Sequence, residues 1–262
     1  MNRLLKVLIG VLIGIALLFG GALEAAALEL RTAAQRSAPK YYQAEPGGPV
    51  QGLCVDILQA LEALTPGLTI GGYQHFLPSA RIYADLRSGD LDLFCGSGKT
   101  DTRVQQVRYL EPPLYPVRHR LAARRDDPVR VGTLAELRAL GTEGVVLTYL
   151  NSATHHFLLQ QPGLQIDEGS DLTNLFDRLL LGRGRFIYYH DLGLNHYIRS
   201  HRLEPRVRLL PASFRHYHHY LVASERLPEA VIAELQRALA VLAARGELQR
   251  LYQQYAPAES GY

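Results

Sequence analysis

The residues best suited to bind a charged ligand form one short stretch in the first half of the chain. Cys95-Gly96-Ser97-Gly98 is a run of small residues, which lets the backbone come close to a ligand and turn its N–H groups towards it. Arg103 follows, and its planar guanidinium suits paired hydrogen bonds with a carboxylate. The combination predicts a binding site for an anion.

Two other groups of polar residues follow predicted strands. His190-Asp191 ends one strand, and Asn151-Ser152 stands where a strand gives way to a helix. Loops at the carboxyl ends of strands are where ligands bind in open α/β sheets, and a helix N-terminus can receive an anion or a carbonyl. Two lobes that face each other across a cleft would join these groups. Arg103 and Asp191 would then hold opposite charges of one ligand.

The elements that must position these residues alternate along the chain. The predicted strands cover residues 28–32, 68–73, 90–94, 118–123, 145–148 and 186–189. The predicted helices cover residues 55–64, 228–245 and 248–255, and others begin at residues 78, 133, 152 and 170 and at the turn that contains Arg103. Such alternation favours an α/β fold with largely parallel sheets.

Residues 1–27 have the layout of a secretory signal peptide. Arg3 and Lys6 precede an apolar run at residues 7–23, and three small residues that end at Ala27 supply a cleavage site. The run is just shorter than the ~20 residues that span a bilayer. We therefore predict export with cleavage after Ala27, and an uncleaved anchor is the alternative.

Composition argues against nucleic acid and nucleotide partners. The formal net charge is only +3, and 47% of residues are hydrophobic, as in an ordinary globular protein. The basic residues are scattered among acidic ones. Gly98-Lys99-Thr100 looks like the end of a nucleotide-binding P-loop, but Leu93 stands where that motif needs a further glycine.

Two cysteines, Cys54 and Cys95, would meet an oxidising compartment after export. Cys54 lies just before a predicted helix, and Cys95 ends a strand whose loop faces the same cleft. A disulfide between them is geometrically reasonable, and two buried thiols are the alternative. His216 and His218 share a face of a strand, but two imidazoles are too few for a closed zinc site, so we predict no metal and no cofactor.

The order of several short motifs resembles one family. In the first half they are Gly52-Leu53-Cys54-Val55-Asp56-Ile57, Leu86-Arg87-Ser88-Gly89-Asp90-Leu91-Asp92, Thr100-Asp101-Thr102-Arg103 and Pro113-Leu114-Tyr115. In the second half they are a strand that ends at Asp191 and the strand Tyr220-Leu221-Val222-Ala223 before paired C-terminal helices. The chain is thereby similar to the family 3 periplasmic solute-binding proteins of amino-acid ABC transporters over essentially all of residues 28–262.

The resemblance implies a type II periplasmic-binding-protein-like fold, with two α/β lobes, a ligand cleft and two hinge crossings. Residues 28–117 would form the first part of lobe 1 and residues 118–212 would form lobe 2. Residues 213–262 would supply the return crossing and the C-terminal helices of lobe 1. The implied function is the binding of a small amino-acid-like or carboxylate solute by a monomer, which delivers it to an inner-membrane ABC permease.

The resemblance also implies roles for single residues. Arg103 would clamp the ligand's α-carboxylate, and Asp191 would hold its α-ammonium group. Gly96 and Gly98 stand where small hydroxyl residues are usual, which leaves backbone N–H groups but removes side-chain acceptors.

Two more side chains have positions that suit the ligand. Tyr41 or Tyr42 would provide the aromatic ring that covers the ligand. Arg81 either points into the cleft or pairs with Asp85 one turn further along its helix.

Two other functions fit the same fold. One is an enzyme similar to the cyclohexadienyl dehydratases, which needs a cleft acid other than Asp191; Glu143 and Glu168 are the candidates, although neither follows a predicted site junction. The other is a membrane-tethered solute sensor held by residues 7–23. We predict a binding protein rather than an enzyme, with no catalytic residue.

Overall fold

The computed structural model describes residues 28–150 and 152–256, so the predicted signal peptide and Asn151 lie outside the described residues. The strands are β1 (Leu28–Arg31), β2 (Tyr42–Gln43), β3 (Val50–Gln51), β4 (Leu68–Gly71), β5 (Leu93–Gly98), β6 (Arg108–Tyr109), β7 (Tyr115–Arg124), β8 (Val146–Tyr149), β9 (Ile166–Gly169), β10 (Phe186–His190) and β11 (Val207–Ala223). The α-helices are α1 (Leu53–Leu64), α2 (Ser79–Ser88), α3 (Leu134–Ala139), α4 (Ala153–Leu159), α5 (Leu172–Leu180), α6 (Asp191–Ser200), α7 (Glu229–Ala244) and α8 (Glu247–Tyr255).

The largest sheet has mixed strand directions. Its order is β5-β11-β7-β10-β8-β9, and β6 also pairs with β11. The strands β10, β8 and β9 are parallel, whereas β7 is antiparallel to both β10 and β11, and β11 is antiparallel to β5. The expectation of largely parallel sheets is therefore wrong for this sheet, because the two longest strands, β7 and β11, run in opposite directions.

Buried apolar side chains form separate cores in the two halves of the fold. One core gathers residues of β1, α1, α2, β5, α7 and α8. Two others cover opposite faces of the sheet around β10, since Tyr188 packs into one and its neighbour Ile187 into the other. β7 reaches from the first core, at Val117, to the second, at Leu121, and β11 makes the reverse passage.

Helix ends follow local chemistry. The Thr133 and Ser152 hydroxyls each accept the backbone N–H three residues further on at 3.1 Å, as N-caps do. α5 is capped by the carboxylate of Asp171 at 2.8 Å and not by Ser170, where the sequence pattern placed the helix start. Within the described ranges, none of the helices has the length and hydropathy needed to span a bilayer.

Three local differences from the sequence prediction concern the site. α1 begins at Leu53, so Cys54 lies inside this helix. β5 extends to Gly98 and includes the small-residue run, because Ser97 and Gly98 continue the antiparallel pairing with β11. Arg103 lies in a series of turns and not in a helix, with its N–H bonded to the carbonyl of Thr100 at 3.0 Å.

Candidate functional site

A cleft of about 610 Å³ is lined by residues from both halves of the fold. β5, β7, β10 and β11 contribute side chains or backbone to its floor. The residues from these strands are Phe94, Gly96, Gly98, His119, Tyr189, His190, Arg215, Tyr217 and His219. Because each half supplies part of the lining, a ligand in this cleft would contact both.

Four residues that the sequence predicts as ligand contacts line the cleft: Arg103, Gly96, Gly98 and Ser152. The Arg103 guanidinium lies 4.7 Å from the centre of the Tyr83 ring and donates to the Gly98 carbonyl at 3.4 Å. It makes no ion pair with a described carboxylate. Most of its hydrogen-bonding capacity is therefore free for a ligand.

Asp191 does not line the cleft, and this corrects the ammonium-binding role predicted for it. Its side chain is fully buried and accepts hydrogen bonds from Nε of Arg118 at 3.0 Å and from the backbone N–H of Leu192 at 2.9 Å. Asp191 begins α6, and its carboxylate joins this helix to Arg118 of β7. The sequence located the residue correctly at the strand end, but it did not show which way the side chain turns.

Three further predicted contacts also lie outside the cleft lining. Tyr41 is buried and donates its hydroxyl to a backbone carbonyl of β5 at 3.2 Å, so it supports the cleft wall from behind. Arg81 donates to Asp85 at 2.9 Å, which is the alternative role predicted for it. The Ser97 hydroxyl bonds the Tyr83 hydroxyl within the wall.

Cys54 and Cys95 are both free and buried, so the structure has the two-thiol alternative and not the disulfide. Burial and the hydrogen bond with Cys54 raise the pKa of Cys95. Burial also opposes ionisation of Cys54, but the hydrogen bond with Cys95 and the positive charge of Lys40 together lower the pKa of Cys54. The pair lies directly behind Gly96.

Lys40 is a cleft residue that the sequence patterns did not identify. Its side chain is only 6% exposed, and Nζ donates to the Gly96 carbonyl at 3.1 Å and to the Gln35 side-chain oxygen at 3.2 Å. Burial lowers the pKa of Lys40. One feature of the sequence could have identified Lys40. It and Lys99 are the only lysines of residues 28–262, where arginine otherwise supplies the positive charge.

Three histidines line the cleft in neutral form. Both ring nitrogens of His119 lie 3.2 Å from tyrosine hydroxyls, and burial with the nearby charge of Arg215 lowers its pKa to about 3. Burial also lowers the pKa of His190 and of His219 well below the ordinary value. Nδ1 of His190 accepts a backbone N–H of α6 at 2.9 Å, so its neutral ring carries the proton on Nε2 and is a donor there.

Acidic groups do not line this cleft in the described part of the chain. Glu143, one acid considered for an enzymatic role, is exposed and lies 3.9 Å from Arg185. Glu168, the other, bonds Nε2 of His155 at 2.8 Å. Neither is a lining residue, so the cleft presents cations, neutral imidazoles and tyrosines.

A ligand cleft between two α/β halves that share two long crossing strands defines the type II periplasmic-binding-protein fold. The match to a family model extends over residues 30–258, which is most of the chain. The chain belongs to the bacterial extracellular solute-binding proteins, family 3.

Several solved structures are similar to this one. An ancestral cationic amino acid solute-binding protein has a TM-score of 0.70 at 15% identity, with 87% of this chain and 96% of that chain covered. An ancestral arginine-binding protein bound to arginine has a TM-score of 0.66 at 17% identity, with 87% of this chain and 97% of that chain covered. A histidine kinase sensor domain with similarity to periplasmic binding proteins has a TM-score of 0.69 at 18% identity, with 88% of this chain and 98% of that chain covered. At these identities the likeness shows the fold alone. No curated protein matches this sequence.

Proposed function

We propose that this protein is the substrate-binding component of an ABC transporter. It binds a small carboxylate-bearing solute in the cleft and presents it to an inner-membrane permease. The observation that carries the proposal is the guanidinium of Arg103, which faces the cleft without an ion-pair partner among the described residues. Membership of the solute-binding family supports the same reading.

The proposed mechanism is hinge closure. Residues 28–117 and 213–256 form one lobe, residues 118–212 form the other, and β7 and β11 cross between them. A ligand that contacts both lobes favours the closed state by the difference between its affinities for the closed and the open forms. The permease then recognises the closed monomer. Residues 1–27 direct the chain to the periplasm.

Calorimetry with Arg103→Ala tests the carboxylate clamp. The panel contains amino acids, organic acids and polyamines, and the protein is purified from cells that express the full chain. We expect a carboxylate-bearing solute to bind, and Arg103→Ala to weaken it at least about tenfold, because a charge-assisted hydrogen bond is lost. Arg81→Ala is the matched control, since Arg81 is paired with Asp85 outside the cleft and its loss leaves affinity unchanged.

Two results would contradict this proposal. Polyamines or uncharged solutes as the only ligands, with normal binding by Arg103→Ala, would make Arg103 a structural residue. A loss of affinity in Arg81→Ala as large as in Arg103→Ala would mean that the effect is not specific to the cleft guanidinium.

A sensor function is the second candidate, because a histidine kinase sensor domain has the same fold. Mass spectrometry of the exported protein separates the two candidates. A mature N-terminus at Leu28 supports the transporter component, and retention of residues 7–23 as an anchor supports the sensor. An enzyme similar to the cyclohexadienyl dehydratases has less support, since an acid for proton transfer does not line the described cleft; turnover of prephenate or arogenate would establish it.

A further inference from the structure

Positive charge is concentrated in the cleft without matching negative charge. Four cationic side chains line it and make no ion pair with a described carboxylate; they are Arg36, Lys40, Arg103 and Arg215. Lys99 also lines the cleft, but Glu111 neutralises it at 2.9 Å. Away from the cleft some guanidinium groups pair with carboxylates, as Arg118 does with Asp191 and Arg185 with Asp127, whereas others, such as Arg138 and Arg208, bond backbone carbonyls. The cleft differs in that several such cations gather around one cavity whose described lining holds no acid.

Lys40 is the least exposed of these cations. Its two acceptors, the Gly96 carbonyl and the Gln35 amide, are uncharged. A buried ammonium group without a counter-charge is costly, which the lowered pKa of Lys40 also reflects. An anion in the cleft would supply the missing charge.

The cations lie at different places along the cleft. Arg103 stacks on Tyr83 and lies beside the Gly98 carbonyl of β5. Arg215 instead lies 5.5 Å from the ring centre of Phe157 in α4 and 5.4 Å from that of Tyr217. Contacts on separate elements of the two halves suit two anionic groups of one ligand better than a single one.

The cleft is poorly suited to an ammonium group. In amino-acid recognition an ammonium needs acceptors, ideally a carboxylate, but Asp191 lies outside the lining and is bonded by Arg118, and the described lining holds no acid. His190 stands at the strand end just before Asp191. Its Nδ1 accepts a backbone N–H, so its other ring nitrogen, Nε2, donates and does not accept. A positive ligand group would also be repelled by the four unpaired cations.

We propose that the cleft binds a small organic anion with at least two negative groups and no ammonium group, specifically a di- or tricarboxylate. One carboxylate bonds Arg103 on the β5 side of the cleft, where Lys40 also lies, and another lies near Arg215. The inference rests on the proposed solute-binding function and names its substrate class. Phosphate esters offer similar anionic oxygens, so the test compares a phosphate ester with the carboxylates.

The test compares ligands that differ in charge at similar length. Each ligand is titrated into the protein by calorimetry, and the affinities for succinate and citrate are compared with those for 4-aminobutanoate, propionate, glutamine, arginine and glycerol 3-phosphate. We expect succinate or citrate to bind at least about tenfold more tightly than 4-aminobutanoate, because the ammonium replaces a carboxylate that would pair with a cation. Tighter binding of glycerol 3-phosphate than of both carboxylates overturns the carboxylate assignment.

The outcomes also separate this inference from the function on which it rests. If glutamine, arginine or 4-aminobutanoate binds most tightly, the anion assignment is wrong and the solute-binding function stands. If the whole panel fails to bind, together with a wider set of di- and tricarboxylates and amino acids, both are wrong.

Two variants locate the second negative group. Arg215→Met should weaken binding of the preferred polycarboxylate about tenfold and change propionate binding much less, since one carboxylate bonds on the Arg103 side. Lys40→Met, on that same side, should weaken binding of both ligands. Arg138→Met is the matched control, because Arg138 is exposed, donates to the Pro162 carbonyl and lies outside the cleft lining. Equal losses of propionate and polycarboxylate binding in Arg215→Met would overturn the two-point arrangement. Arg215 is exposed, so this variant keeps the test valid if Lys40→Met folds poorly.

Discussion

His119 shows how a single buried residue links the chemistry of the cleft to the stability of the protein. Its ring is fully buried between two tyrosine hydroxyls, and burial lowers its pKa to about 3. The folded chain thus keeps this imidazole neutral at pH values where the unfolded chain protonates it, near the ordinary pKa of 6.5. A neutral wall residue adds no charge to a cleft already rich in cations.

The pH dependence of stability follows from this shift. The lowered pKa of His119 means that its contribution is fully present above about pH 6.5 and is lost as the pH falls towards 3, at about 1.4 kcal/mol per pH unit. Urea unfolding at several pH values between 7 and 4 should give a shallower decline for His119→Gln than for the natural chain. Identical pH slopes for the two proteins would show that His119 takes up its proton in the folded state.

Sequence patterns identified the residues of the site that belong to recognisable motifs. Arg103 and Ser152 stand at motif or cap positions, and both line the cleft. Lys40 lies in a segment between short strands that has no periodic pattern, and Arg215 belongs to a strand whose facing depends on its bulged pairing with β7. The side-chain direction of Asp191 depends on Arg118, which is distant in sequence, so no local pattern specifies it.

At the scale of elements, β5 must bring its backbone to the cleft while its other face packs against the core. Gly96 allows the backbone to take this course, because its φ of 87° lies in the left-handed region that glycine adopts without strain. The neighbouring atoms also leave no room for a side chain there. The strand's extension through Gly98 arises from pairing with β11, a long-range contact that alternation in the sequence does not reveal.

Gly96→Ala should destabilise the protein and weaken ligand binding. An added Cβ would lie 2.8 Å from the Tyr115 hydroxyl and 2.9 Å from both Sγ of Cys54 and Cδ of Lys40. Gly67→Ala is the matched control, since Gly67 has a φ of 81° but nothing within 4 Å of the added atom. We expect about 1 kcal/mol for the control from backbone strain, and at least about 1 kcal/mol more for Gly96→Ala from crowding.

Urea unfolding measures both costs, and calorimetry with the preferred ligand measures the effect on affinity. Equal destabilisation by the two substitutions would mean that the wall behind Gly96 yields freely. Normal affinity in a destabilised Gly96→Ala would mean that the position of Lys40 does not depend on this contact.

For the whole molecule, the arrangement of strands decides how the two halves can move. β7 and β11 are the described strands that contribute to cores in both halves, and they pair with each other along most of their length. A cleft that lies beside this two-stranded connection can narrow by bending at the strands, without breaking either core. The sequence predicted two crossings from family resemblance, but it did not predict that they would pair with each other as antiparallel strands, with bulges between Leu209 and Arg215.

Small-angle X-ray scattering tests this closure directly. Saturating amounts of the tightest ligand should reduce the radius of gyration, because the closed form brings the halves together over the cleft. At a ligand concentration about one hundred times Kd, the free energy of unfolding should also rise by about 2.7 kcal/mol. Arg103→Ala at the same concentration should show a smaller contraction and a smaller gain in stability, since it binds less ligand. An unchanged radius of gyration, with saturation confirmed by calorimetry, would mean that the protein binds its solute in a rigid cleft. The proposed permease would then have to recognise the ligand and not a closed shape.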